Sequence, residues 1–132
     1  MANVRSADTK PEMVVRRIAH ALGYRYRLHI RSLPGSPDLV FPGKRKVIFV
    51  HGCFWHRHHG CSRTTFPKTR EDYWNAKFSA NIARDAAQAT ALLGLGWSVL
   101  TIWECEIRDL LALRQRISSF LSNDAASAPF PN

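Results

Sequence analysis

The stretch Val47-Ile48-Phe49-Val50-His51-Gly52-Cys53-Phe54-Trp55-His56-Arg57-His58-His59-Gly60-Cys61 changes character in its middle. Val47 to Val50 is an unbroken β-branched and aromatic run, the pattern of a strand buried on both faces. From His51 the apolar run gives way to four of the chain's six histidines, two of its three cysteines and the pair Phe54-Trp55, all within eleven residues. A core strand that ends this way delivers side chains for chemistry to a sheet edge, where open α/β folds bind ligands. Cys53-x4-His58-x2-Cys61 has the short thiolate–imidazole spacing of a metal knuckle, and spacing alone admits His59 in place of His58. Three ligands are too few for a closed site, so a fourth must come from elsewhere.

The chain beyond this loop supplies it. Residues 62–70 form a basic linker, and from Thr69, a candidate cap, the spacing predicts a helix to about Leu93. Its core face is Trp74, Phe78, Ile82, Ala86 and Ala89, with Asn81 and Asp85 one turn apart on a neighbouring stripe. Gly94 and Gly96 end it, and Trp97 to Trp103 reads as a second buried strand. Strand, helix and strand make a βαβ unit, so the two strands should run parallel and leave the sheet at one edge. Cys105 lies two residues past the second strand as Cys53 lies past the first, which brings a third thiol to the knuckle. A Cys3His set is a closed, tetrahedral, structural zinc site. A last amphipathic helix is expected over 107–121, with Leu110, Leu111, Arg114 and Ile117 repeating; residues 123–132 read as a disordered tail.

Working back from Val47, Thr9-Lys-Pro-Glu12 has the form of a helix start, with Thr9 as cap and Glu12 completing a capping box. Val14, Ile18 and Leu22 follow on one face, and Gly23 ends the helix. Tyr24 to Ile30 alternates apolar with Arg25, Arg27 and His29, which predicts a half-buried strand with a basic outer face. After Leu33-Pro-Gly-Ser-Pro37, Asp38 to Phe41 starts a hairpin that turns through Pro42-Gly43 back into Val47. Lys44, Arg45 and Lys46 are read as a solvated turn. The architecture is therefore one α/β domain over residues 1–122, a central mixed sheet flanked by helices with a structural zinc loop.

That hairpin carries Asp38 toward His51. A carboxylate, two free histidines (His51 and His56) and a basic surface at one edge suit metal-assisted phosphodiester hydrolysis. Asp38 would hold a hard cation such as Mg2+, His56 would deprotonate the attacking water, and Asp85 is the best-placed carboxylate to fix the His56 tautomer. The charge supports a polyanionic substrate: net +9 overall, but residues 1–70 hold 14 Lys and Arg against three acids, a net of +11. An odd cysteine count argues against a disulfide framework, and no run approaches the ~18 apolar residues of a membrane helix. A cytoplasmic location is expected.

Pro37-Asp38 opening a hairpin after a capped helix resembles the Pro-Asp…(Asp/Glu)-x-Lys nuclease superfamily, although nothing acidic follows before the Cys53 loop and His51 falls near the place of the lysine. In order, Pro-Asp-Leu-Val-Phe, His-Gly-Cys-Phe-Trp-His, Pro-Lys-Thr-Arg, Asn81-Ile-Ala-Arg-Asp85, Gly-Trp and Trp103-Glu-Cys105 resemble the very short patch repair (Vsr-type) endonucleases over about residues 4–120. That family nicks DNA 5′ to the thymine of a T:G mismatch left by deamination of 5-methylcytosine. The resemblance implies that Asp38 and the main-chain carbonyl of Val50 hold magnesium and that His56 is the general base with Asp85 as partner. It adds His51 and Glu12 to the catalytic set, and assigns zinc to Cys53, His58, Cys61 and Cys105. Phe54 and Trp55 become the wedge beside the mismatch, and Arg57, Lys68, Arg70 and Asn81 are expected at the DNA. It also implies a companion cytosine-5 DNA methyltransferase, an insertion at Gly60, and relatives with an arm ahead of Met1, hence a shorter grip here. A nicking enzyme needs no two-fold axis, so a monomer is expected. Two rivals share most features: a zinc-stabilised DNA-binding module without catalysis, and a nuclease without mismatch preference.

Overall fold

The computed structural model describes residues 9–123. The expected disordered tail falls almost entirely outside the described residues. Four strands and three helices follow one another as α1 (Lys10–Ala21), β1 (Arg27–Leu28), β2 (Leu39–Phe41), β3 (Lys46–His51), α2 (Glu71–Gly94), β4 (Ser98–Trp103) and α3 (Leu110–Ser122), with 3-10 turns at Pro42–Lys44 and Glu104–Arg108. The sheet order is β1-β2-β3-β4, antiparallel at the first two pairings and parallel at the third. This is the expected mixed α/β sheet. β3 is central, and its residues alternate between two cores. Ile48 joins Leu39, Phe41 and Ile102 under α1 and α3. Val47 and Phe49 join Val40 and Leu92 under α2. Among the described residues, no helix is long and apolar enough to cross a membrane.

Each departure from the expected elements has a local cause. The first strand is only two residues long and stops at Leu28, where His29 takes a left-handed φ of 51° and turns the chain out of the ladder. α1 starts as expected, with Thr9 Oγ1 accepting from the Glu12 N–H, but the Glu12 carboxylate is engaged by Arg16 and His29. α2 begins two residues after Thr69, with Arg70 in the left-handed region at its N-cap. Its inward face is Trp74, Phe78, Asn81, Asp85, Gln88 and Leu92; Ile82 stands 51% exposed. The polar stripe through Asn81 and Asp85 therefore shares the inward face with Trp74 and Phe78, and of the expected apolar face Ile82 and Ala86 turn outward. α3 is likewise rotated from the expected phase: Leu113, Ile117 and Leu121 are buried while Leu110, Leu111 and Arg114 are exposed.

Of the expected solvated turn, Lys44 and Arg45 are exposed as read, but Lys46 is buried at the start of β3. Arg45, with a φ of 53°, lays its guanidinium over Trp97 and donates to the Leu95 carbonyl at 2.7 Å. Lys46 is 2% exposed, and its ammonium donates to the carbonyls of Phe120 and Asn123 at the end of α3. A strand lysine thus caps orphan carbonyls of a distant helix, which ordinary helix ends satisfy locally. Lys46→Ala should cost about 3 kcal/mol in urea unfolding, from lost packing of the buried stem plus the lost bonds to the helix-end carbonyls, and Lys46→Met should cost less.

Candidate active site and metal centre

β3 and β4 end together, His51 opposite Trp103. Two residues beyond each lie Cys53 and Cys105, and the loop returns His58 and Cys61 to the same point, so that one ligand atom from each of the four lies within 4.8 Å of the others. His58 Nδ1 is 3.5 Å from both Cys53 Sγ and Cys105 Sγ. A tetrahedron with metal–sulfur bonds of ~2.3 Å and metal–nitrogen bonds of ~2.0–2.1 Å has an S–N edge of about 3.6 Å, so the residues fit a tetrahedral ion. The His58 ring is stacked on Trp103 at 4.2 Å, and Thr64 Oγ1 donates to its carbonyl at 2.7 Å. The Cys53 N–H donates to Glu104 Oε1 at 2.9 Å, tying the loop to the turn after β4. His59 is exposed, so the structure selects His58 from the two that spacing allowed. Burial pushes the Cys53 thiol up to about 12, whereas the Arg63 N–H lowers the Cys61 thiol. A buried thiol of this kind ionises only when a cation is there to hold the thiolate.

On the other side of His51 lies a second constellation. The Val50 N–H donates to Asp38 Oδ2 at 2.7 Å, fixing the carboxylate at the mouth of the β2–β3 hairpin. Burial pushes Asp38 up to about 6, against that hydrogen bond. His56 and Asp85 meet at 2.6 Å between Nδ1 and Oδ2, so Nδ1 carries the proton and Nε2 is left as the basic nitrogen. His51 stacks on His56 at 3.8 Å with nearly parallel rings, and burial together with His56 lowers its pKa to about 4. Asp38, Val50, His51 and His56 form the common wall of two adjoining clefts of about 390 and 530 Å3; Asp85 lines the first and Glu12 the second.

His29 was not anticipated. Strand alternation put it on the solvent face, yet its left-handed backbone brings Nε2 to 2.9 Å from Glu12 Oε2 and Nδ1 to 3.8 Å from Asp38 Oδ1. The hairpin register held the signal: Leu28 pairs with Leu39, so position 29 falls opposite 38.

The residues expected at DNA divide. Phe54 and Trp55 are half-buried and stand edge-on to each other, Phe54 also meeting Phe78 and Trp55 meeting Trp74. Asn81 is 8% exposed; its amide donates to the Trp55 carbonyl at 3.0 Å and accepts from Arg84. Arg57 turns inward over Phe78, 3.8 Å from the ring centroid, and donates to the carbonyls of Phe54 and Thr65. Lys68 and Arg70 are exposed.

Two outcomes follow from these environments. Cys105→Ala should lower metal content and thermal stability together, because a structural ion contributes its binding free energy to folding; a folded wild-type protein free of metal, with all three thiols open to a thiol reagent, would refute the site. For Asp38, the folded value of about 6 stands above ~3.9 in an unfolded chain. The folded state then holds the extra proton between those values, so its stabilisation is complete only below ~3.9 and is lost as pH rises through 6. In magnesium-free buffer at pH 8, Asp38→Asn should therefore be more stable than wild type by about 2 kcal/mol, with no gain at about pH 3, as read by urea unfolding.

A profile of the family described as DNA mismatch endonuclease Vsr matches residues 1–63. The type II nicking enzyme V.XorIIP of Xanthomonas oryzae pv. oryzae is 52% identical over 121 residues, 92% of this chain and 88% of that protein. The DNA mismatch endonuclease Vsr of Escherichia coli K12 is 39% identical over 134 residues, 96% of this chain and 85% of its own length. The type II nicking enzyme V.NmeAIP of Neisseria meningitidis is 36% identical over 118 residues, 89% and 84% of the two chains. With a histidine–carboxylate pair beside a partly buried aspartate at one sheet edge, and relatives of this identity along nearly its whole length, the chain belongs to the Vsr family of DNA mismatch endonucleases.

Proposed function

We propose that this protein nicks one strand of duplex DNA 5′ to the T of a T:G mismatch, the product of 5-methylcytosine deamination, by Mg2+-assisted hydrolysis. The observation that carries the reading is the His56–Asp85 contact of 2.6 Å in the cleft that also holds Asp38. With Nδ1 tied to Asp85, His56 takes the proton of the attacking water on Nε2. Asp85 holds the tautomer and offsets the charge that the ring acquires. His51, kept neutral by burial, lies flat against His56 and fixes its plane.

Asp38 and the Val50 carbonyl would hold Mg2+. In an extended strand a residue's N–H and C=O project to the same side, and the Val50 N–H already points at Asp38. When bound, the ion supplies Lewis-acid polarisation of the scissile phosphate and acidifies its bound water. Glu12 and His29 flank Asp38 and orient groups on that side of the cleft. The Cys53, His58, Cys61 and Cys105 set would take Zn2+, whose preference for tetrahedral sulfur and nitrogen ligands it matches. Phe54 and Trp55 serve as the wedge at the mispair, where unstacking is least costly; Asn81 holds the Trp55 carbonyl and α2 supports both rings. Lys68 and Arg70 add phosphate contacts, and Arg57 contributes by holding the loop. A cytosine-5 methyltransferase acting in the same cell creates the need for such an enzyme.

Paired oligonucleotide duplexes, T:G and fully matched, with and without Mg2+, test the reading. Nicking should require both the mismatch and the ion. His56→Ala should stay folded, bind the mismatch, and nick roughly 10²–10⁴-fold more slowly, without the limb that rises as imidazole loses its proton. Equal nicking of matched DNA would remove the mismatch assignment, and a His56→Ala protein of near wild-type rate would remove the base.

A further inference from the structure

The cleft around Asp38 and His56 also holds groups of different chemistry. Besides the carboxylates and imidazoles, that cleft is lined by Arg31, Ser36, Arg84 and Gln88. All four side chains carry hydrogen-bond donors, and two carry permanent positive charge. Guanidinium matches phosphate oxygens as a planar, bidentate, permanently charged donor.

These donors are held in place. Arg84 donates to Asn81 Oδ1, which takes one of its five N–H groups and anchors it to the buried stripe of α2. Gln88 lies one turn further on the same helix. Gly35, at φ 77°, sits so close that an added Cβ would stand 2.8 Å from Gln88 Oε1 and 3.0 Å from the Phe49 ring. The loop carrying Arg31 and Ser36 thus approaches α2 as nearly as a glycine permits. Arg84 also precedes Asp85, so the guanidinium and the partner of His56 ride on one turn of helix.

We propose that Arg31, Ser36, Arg84 and Gln88 form a binding subsite for a second phosphate of the cleaved strand, one adjoining the nick. This rests on the reading of the cleft as a phosphodiester hydrolase. With the scissile phosphate against Asp38 and His56, the strand continues along a cleft of about 390 Å3 to these donors. Such a contact carries no base information; it sets the register of the strand so that the scissile bond, and not a neighbour, meets the base.

The test is binding of the holoprotein to T:G duplexes without Mg2+, over a salt series. The duplexes carry a single uncharged methylphosphonate at one or other phosphate flanking the nick position. Arg84→Ala should bind both matched and mismatched DNA about tenfold more weakly, with a salt slope reduced by about one. One of the two methylphosphonates should weaken the wild type by a similar factor and leave Arg84→Ala no worse; Arg84→Lys should recover part of the loss. An unchanged salt slope, or losses that multiply at both positions, would overturn the subsite. So would an Arg84→Ala protein with altered tryptophan fluorescence and melting, weakened equally on every duplex, since that is the signature of a scaffold role through Asn81. Binding without Mg2+ is independent of cutting: a wild type that never nicks T:G DNA sinks the proposed activity, whereas these outcomes sink the subsite alone.

Discussion

The parallel pairing of β3 with β4, in register from Lys46–Ser98 to His51–Trp103, is the constraint on which the rest depends. Because both strands stop at the same level, the residues two beyond each become neighbours, and Cys53 meets Cys105 without a long loop having to search for its partner. The antiparallel pairing of β2 on the other flank of β3 places Asp38 against Val50. A parallel pair also demands a crossover, and here the crossover is α2. At 24 residues the helix is ~36 Å long, against ~20 Å for a six-residue strand, so it overhangs the sheet. The contacts of Trp74 and Phe78 with Phe54 and Trp55 show that its first turns project past the strand ends, beside the loop.

The same edge keeps two incompatible chemistries apart. The sulfur ligands gather on the β4 side of His51, around Trp103 and the turn beyond it, and the carboxylates gather on the β2 side and along α1. Soft and hard donor sets sort different cations. His51 and His56, stacked face to face, stand between them. Burial, added to by the repulsion of a charged His56, keeps His51 neutral.

Much of this was legible in the residues because it depended on local patterns. The run from Val47 to Val50, the two glycines after the long helix and the second apolar run at Val99 to Trp103 sufficed for the βαβ unit, and its parallel sense sufficed to bring Cys105 beside Cys53, His58 and Cys61. What escaped depended on backbone conformation or on the phase of a helix. His29 alternates correctly for a strand it does not complete, and only its left-handed φ turns it into the cleft. Lys46 looks like part of a charged turn because the carbonyls that hold it lie more than seventy residues away. On α2 an apolar spacing through Ile82 and Ala86 competes with a polar one through Asn81 and Asp85. The polar one faces inward because its partners, Trp55 and His56, lie in a loop whose position no periodicity reports.

His56 lies in the segment between Cys53 and His58, two residues that share one coordination sphere. His56 is thus held twice: the knuckle fixes its segment, and Asp85 and the His51 ring hold its imidazole. Asp38 and Glu12 stand differently, on a strand end and a helix that rest on the main hydrophobic core. The two walls of the cleft therefore rest on different supports: one on the hydrophobic core, the other on a short loop drawn together by four side chains.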